Sequence, residues 1–165
     1  MAACPMKAID LRGWEREGIL SEANKAAATV AGYPVGQGPK ILIFACQNSA
    51  YDAHELAKQR EFALPSSYAV LKVPCAGRVD LELVLKTFHS GVDGVMVLAC
   101  HHDSCKSVYG SNTCEERIKL LRDMLGQVGE EETRLGFATT APGAAADLAD
   151  QIMSFAKHVG KAVGG

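Results

Sequence analysis

Cysteines carry most of the reactive chemistry in this 165-residue chain, at Cys4, Cys46, Cys75, Cys100, Cys105 and Cys114. Cys100 and Cys105 bracket a compact polar run, Cys100-His-His-Asp-Ser-Cys105, so that thiols, imidazoles and a carboxylate crowd into six positions. Such side chains ligate zinc or iron–sulfur clusters, or act as redox thiols. Cys46, Cys75 and Cys100 are 29 and 25 residues apart, about one strand and one helix each. Chance would scatter cysteines over helices and both edges of a sheet. These instead stand where short apolar runs stop.

The runs are the elements that must position the thiols. Ile41-Leu-Ile-Phe-Ala45 ends at Cys46, Tyr68-Ala-Val-Leu-Lys-Val73 runs into Pro74-Cys75, and Val95-Met-Val-Leu-Ala99 stops at Cys100. Wholly apolar runs of this length predict buried strands of a parallel sheet. Helices are predicted between them. One covers about 50–60. A second starts on Asp80, includes Val84 and Phe88, and stops at Gly91. A third is introduced by the capping-box spacing of Thr113 and Glu116, with Ile118, Leu121 and Leu125 on one face. A weaker strand falls over 135–138. In the last helix Pro142 suits the first turn, and Leu148, Ile152, Phe155 and Val159 make a core-facing stripe.

Strand and helix thus alternate four times. The expected fold is α/β, a three-layer sandwich with a four-stranded parallel sheet, flavodoxin-like or Rossmann-like, in the order 2-1-3-4. In a parallel sheet all strand carboxyl ends share one edge, which is where such folds bind ligands. Neighbouring strands about 4.8 Å apart would let three thiols converge there, with Cys105 folding back as a fourth. The turn after the first strand, Cys46-Gln-Asn-Ser-Ala50, has no glycine, which argues against a dinucleotide site.

Residues 1–38 read as an N-terminal extension and linker, with a short Ala-rich helix over 21–30 capped by Ser21. Residues 39–160 form the α/β domain and 161–165 a flexible tail. Composition is that of a globular domain, 48% hydrophobic and 22% charged with a net charge of −2, so the overall field favours neither nucleic acid nor anionic lipid. No apolar run approaches the ~20 residues of a membrane span, and no signal peptide is visible. The expected location is the cytoplasm, where thiols stay reduced, in a position that allows peripheral attachment to a membrane complex.

From residue chemistry alone, zinc and an iron–sulfur cluster both remain open for Cys46, Cys75, Cys100 and Cys105. So do a thiol-redox role through Cys100 or Cys105 and simple burial. His101 and His102 are candidates to ligate the metal or tune it, and Arg78 to stabilise its reduced form. Cys114, near a helix start, is expected to be buried. Asp52, His54 and Glu55 are expected on the exposed face of their helix.

Three segments together resemble a known family. They are Phe44-Ala-Cys46-Gln-Asn-Ser-Ala-Tyr51, Pro74-Cys-Ala-Gly-Arg-Val-Asp80 and Leu98-Ala-Cys100-His-His-Asp-Ser-Cys105. With their spacing they resemble the delta subunit of methyl-viologen-reducing hydrogenase, over about 39–158. The resemblance implies a domain that holds a [2Fe–2S] cluster. It would pass electrons between redox partners, one of them a flavin- and iron–sulfur-containing subunit, as in heterodisulfide-reductase complexes. Cys46, Cys75, Cys100 and Cys105 match family cysteines. Ser49 departs, because the hydrogenase subunits usually have a second cysteine there. This leaves two readings: a cluster on the other four thiols, or a cluster-free docking module. Cys4-Pro5 resembles the closing Cys-Pro of a ferredoxin-type four-iron motif. With it the chain resembles the C-terminal domain of the B-type subunits of quinone-interacting membrane-bound oxidoreductases of sulfate reducers.

Overall fold

The computed structural model describes residues 12–34, 36 and 38–164. Cys4 lies outside the described residues. Four strands, β1 (Ile41–Cys46), β2 (Tyr68–Val73), β3 (Gly94–Cys100) and β4 (Leu135–Thr140), form one all-parallel sheet in the order β2-β1-β3-β4. This is the predicted topology. Every residue of β1 and β3 is buried, because the two central strands are covered on both faces. That is why each reads as a continuous apolar run and not as an alternating one.

Among the described residues five helices cover the sheet: α1 (Arg16–Ala31), α2 (Ala50–Gln59), α3 (Leu81–His89), α4 (Gly110–Gln127) and α5 (Ala145–Val163). Residues of α1, α3 and α4 pack with Leu42, Phe44, Val95 and Val97 on one face. Residues of α2 and α5 pack with Ile41, Ile43, Met96 and Leu98 on the other. Leu148, Ile152, Phe155 and Val159 are all buried, as their spacing predicts. Each large aliphatic or aromatic side chain so buried contributes about 1.5–3 kcal/mol.

Three helix starts differ from expectation. α1 begins at Arg16, not Ser21, and buries Ile19, Ala23, Ala27 and Val30. Its first turn is anchored from outside: Arg16 donates from Nε and Nη2 to the Asp80 carboxylate at 3.0 and 3.1 Å, and from Nη2 to Glu82 at 2.8 Å. Asp80 also accepts from the Leu83 amide at 2.8 Å, so it caps α3 as predicted. α4 begins at Gly110, before Thr113, and its N-cap Tyr109 makes no side-chain cap bond. Its first amides are drawn to the Cys105 loop instead. Pro142 precedes α5, in a turn closed by the Ala144 amide on the Ala141 carbonyl at 3.0 Å. Proline presets the backbone of such a turn.

Candidate metal centre

Cys46 ends β1 and Cys100 ends β3, and β1 and β3 are hydrogen-bonded neighbours. Their Sγ atoms are 3.4 Å apart, with the residues 1% and 4% exposed. Cys75, beyond the end of β2, leads into a 3-10 turn at Ala76–Arg78. Cys105 follows a second 3-10 turn at His102–Ser104. Both are half-buried. Both sulfurs lie close to Gly110, the first residue of α4. A Cβ there would overlap Cys75 Sγ and lie 3.5 Å from Cys105 Sγ.

Backbone-to-backbone contact makes this approach possible. A Cβ on Gly77 would come within 3.0 Å of Gly110 Cα and 3.1 Å of its carbonyl oxygen. Arg117 of α4 clamps the same turn by donating from Nη1 to the Gly77 carbonyl at 2.9 Å. Asn48 Nδ2 donates to the Pro74 carbonyl at 3.3 Å and ties the Cys46 and Cys75 loops together. Two glycines, one arginine and one asparagine thus hold three loops at one edge.

The two ends of the site differ electrically. Burial pushes the Cys46 thiol up to about 11, against a hydrogen bond from the Asn48 amide, and its neighbours Cys100 and Cys75 add to the rise. Cys114, on the inner face of α4, is pushed by burial up to about 12; Arg117 opposes this, and Cys75 and Cys46 reinforce it. Cys114 is buried as expected, yet it also belongs to the neighbourhood of the thiol site. Cys105 moves the other way. Burial raises its pKa, but hydrogen bonds from the Ser111 hydroxyl and the amides of Ser111, Ser107 and Gly110 outweigh that, and it falls below the ordinary thiol value. A sulfur so surrounded is ready to carry negative charge.

Four thiols in two pairs fit a two-iron centre in donor type. Among the described residues no three His, Cys, Asp or Glu side chains gather around one point for a single ion. A tetrahedral zinc would need four sulfurs about 2.3 Å from one centre. A binuclear cluster on four cysteines accepts two separated pairs. Ser49 is 2% exposed, and its Oγ has no hydrogen-bond partner among the described residues. It stands three residues after Cys46, at the start of α2.

The histidines and Arg78 lie around the site with partners of their own. His101 is exposed, with Nδ1 3.0 Å from Thr139 Oγ1. His102 sets Nδ1 3.1 Å from Asn112 Oδ1 and Nε2 2.9 Å from Glu115 Oε2, and it stacks on Phe137. Arg78 donates from Nη2 to the Trp14 carbonyl at 2.9 Å, linking the turn after Cys75 to the segment before α1. His54 corrects an expectation. It is buried on the inner face of α2, with Nε2 3.0 Å from the Tyr68 hydroxyl. Asp52 is exposed and Glu55 half-exposed. Sequence reasoning did not single out Gly77, Gly110, Ser111 or Arg117. The readable sign was a glycine five residues after Cys105, where a helix could start.

A profile of the methyl-viologen-reducing hydrogenase delta-subunit family matches residues 41–162. The chain is 34% identical over 97 residues to the iron-sulfur subunit of the F420-non-reducing hydrogenase of Archaeoglobus profundus, covering 59% of this chain and 71% of the relative. It is 27% identical over 152 residues to a subunit of the ferredoxin:CoB-CoM heterodisulfide reductase of Methanosarcina mazei, covering 92% of this chain and 18% of the relative. It is 29% identical over 125 residues to the corresponding subunit of the ferredoxin/F420H2-dependent CoB-CoM heterodisulfide reductase of Methanosarcina acetivorans, covering 76% and 15%. The chain therefore spans less than a fifth of the length of these two heterodisulfide reductase relatives.

Proposed function

The chain belongs to the methyl-viologen-reducing hydrogenase delta-subunit family, and from that premise we propose that it is an electron-transfer domain of a heterodisulfide-reductase-like flavoprotein complex. Cys46, Cys75, Cys100 and Cys105 hold a [2Fe–2S] cluster, Cys46 with Cys100 on one side and Cys75 with Cys105 on the other. The cluster supplies one-electron chemistry when bound. The chain's own residues give ligand geometry, exclusion of water at the Cys46–Cys100 end, and hydrogen bonds to sulfur at the Cys105 end. What supports the reading is that Cys46 and Cys100, at the ends of neighbouring strands, set their sulfurs 3.4 Å apart, and that Cys75 and Cys105 both approach Gly110.

The partner is a flavin- and iron–sulfur-containing subunit of the same complex. The relatives support this: one is the iron-sulfur subunit of a hydrogenase, and others are heterodisulfide reductase subunits several times longer than the matched segment. Among the described residues no helix is long and apolar enough to cross a membrane, which agrees with a domain that works in the cytoplasm or docks peripherally. The electron flow it joins is that of sulfate reduction.

Anaerobic purification followed by iron, zinc and acid-labile sulfide analysis tests the reading. About two irons and two sulfides per chain are expected, and Cys75→Ser should lower both. A cluster-free docking module is the second reading, favoured by Ser49 where a family cysteine usually stands. Its signature is an intact fold with no iron or zinc and with freely titratable thiols.

A further inference from the structure

Three apolar side chains of α4 take no part in the core. Cys114, Ile118 and Leu121 are buried on its inner face, whereas Leu120, Met124 and Val128 are 52%, 46% and 73% exposed. Positions i, i+4 and i+8 lie one above another on a helix, so these three form a stripe. Arg117, three residues before Leu120, reaches the Gly77 carbonyl in the turn that leads into α3. The stripe therefore runs along the side of α4 turned towards α3. Beside it lies a groove of about 300 Å³, lined by Leu85 and Phe88 of α3 and Leu125 of α4. Exposed apolar residues are ordinary singly, but a contiguous row along a groove marks an interaction surface.

The charge around the groove selects what covers it. Glu130 and Glu131 line it, and both are exposed. Arg134 lines it too, but its guanidinium is already engaged. Nε donates to the Asp93 carbonyl at 2.7 Å, Nη1 stands 3.4 Å from Glu130 Oε2, and the group sits 5.3 Å from the Phe88 ring centroid. Glu131 has no cation within ion-pair distance among the described residues. The carboxyl end of α4 adds partial negative charge, since no basic residue stands in its last turn. An amphipathic helix fits this surface, with its apolar face on the stripe and its lysines or arginines against the glutamates. An anionic lipid surface does not fit the acidic rim. A second copy fits poorly, because a twofold contact through the same groove would bring both acidic rims into one interface.

The groove stands at the strand amino ends. Arg134 holds the Asp93 and Val92 carbonyls just before β3 begins at Gly94, and β3 ends at Cys100. A strand of seven residues separates the two edges of the sheet by roughly 20 Å. We propose that the α3–α4 groove docks a basic amphipathic helix of a protein partner, holding the domain by the edge opposite its thiols. The thiol edge then stays open for electron exchange while the domain is bound. Nothing in this contact depends on the thiols being loaded.

The test is fluorescence anisotropy of the full chain with two labelled helical peptides of about 18 residues. Both carry leucines along one face; one has lysines on its flanks and the other glutamates. The lysine peptide should bind roughly tenfold tighter than the glutamate peptide, with the difference shrinking as salt is added. Met124→Ser should weaken its binding roughly tenfold. Val163→Ser, which changes an equally exposed apolar residue at the end of α5, should leave it unaltered. Glu130→Lys combined with Glu131→Lys should reverse the preference between the peptides. All three variants change exposed residues, so melting temperatures should stay near wild type. Equal affinity for the two peptides, or binding of neither, overturns the proposal. So does a wild-type dimer in sedimentation that Met124→Ser dissociates, because a second copy then fills the groove. Iron per chain should be the same in every variant; iron-free wild type counts against the cluster reading and leaves the groove as it is.

Discussion

Gly110→Ala places one methyl group against both half-exposed thiols. Its Cβ would overlap Cys75 Sγ, lie 3.2 Å from Ser107 Cβ and lie 3.5 Å from Cys105 Sγ. Gly110 has no positive φ, so the backbone accepts alanine. Ordinary contact is about 3.5–4.0 Å, so the Cys75 sulfur must move to reach it. Overpacking of this size costs about 1–3 kcal/mol. Replacing a helical glycine by alanine returns roughly 0.5–1 kcal/mol. The net destabilisation is about 0–2.5 kcal/mol, a fall in Tm of at most roughly 10 °C for a domain of this size. The fold survives, but the second thiol pair does not. Circular dichroism melts together with iron and sulfide per chain make the assay. The expected result is a folded protein with most of its iron lost. Gly136→Ala is the matched control. Its Cβ would press on Phe155 at 2.8 Å and Met96 at 3.0 Å, away from the thiols, and should cost a similar 1–3 kcal/mol, roughly, with iron retained. A Gly110→Ala protein with full iron and a wild-type spectrum would refute the claim that Cys75 and Cys105 act across this glycine.

Three further outcomes follow from the same geometry. In cluster-free folded protein, brief iodoacetamide treatment near neutral pH should label Cys105 first and Cys46 and Cys114 last by peptide mass spectrometry; equal labelling would contradict the opposite directions in which these thiols are shifted. Cys114 also predicts a pH dependence. Below the ordinary thiol value of 9.0 both folded and unfolded thiols stay protonated, so its contribution is flat; as pH rises toward about 12 the unfolded thiol ionises while the buried one cannot, and stability falls. Wild type should therefore lose about 2 kcal/mol more than Cys114→Ala between about pH 8 and 10.5, and parallel curves in urea melts would contradict this. Asp80→Ala removes the α3 cap and the partner of Arg16, and should cost about 1–3 kcal/mol; an unchanged Tm would show that α1 is held by its apolar face alone.

The strands were legible because two of them are buried on both faces. Their carboxyl ends were legible because the apolar runs break at Cys46 and Cys100. Right-handed crossovers left a few strand orders, of which 2-1-3-4, the flavodoxin-like or Rossmann-like choice, is the one observed. The starts of α1 and α4 were not legible, for different reasons. α1 is rich in alanine, so its buried face of Ile19, Ala23, Ala27 and Val30 contrasts weakly with its exposed face, and Ser21 passed for a cap. α4 has a capping-box pair at Thr113 and Glu116, but local propensity lost to tertiary contact: the Gly77–Gly110 approach and the Cys105 sulfur begin the helix earlier. His54 shares the spacing of Ala50, Ala53 and Ala57, all buried. That stripe was present in the sequence, and the polar neighbours Asp52 and Glu55 masked it. The partner of His54, the Tyr68 hydroxyl on the edge strand β2, is a tertiary fact. Cys114, expected to be buried, falls in register with Ile118 and Leu121 on the inner face of α4. The meeting of Cys75 and Cys105 across one glycine depends on two backbones touching, which no periodicity announces.

The most direct measurement of the central claim is electron paramagnetic resonance on anaerobically purified, dithionite-reduced protein, with spin, iron and acid-labile sulfide counted on one sample. The account predicts one unpaired spin for about every two irons and two sulfides, with the signal lost in Cys75→Ser and Cys100→Ser. A folded wild-type chain with reduced thiols, no iron and no signal would contradict it.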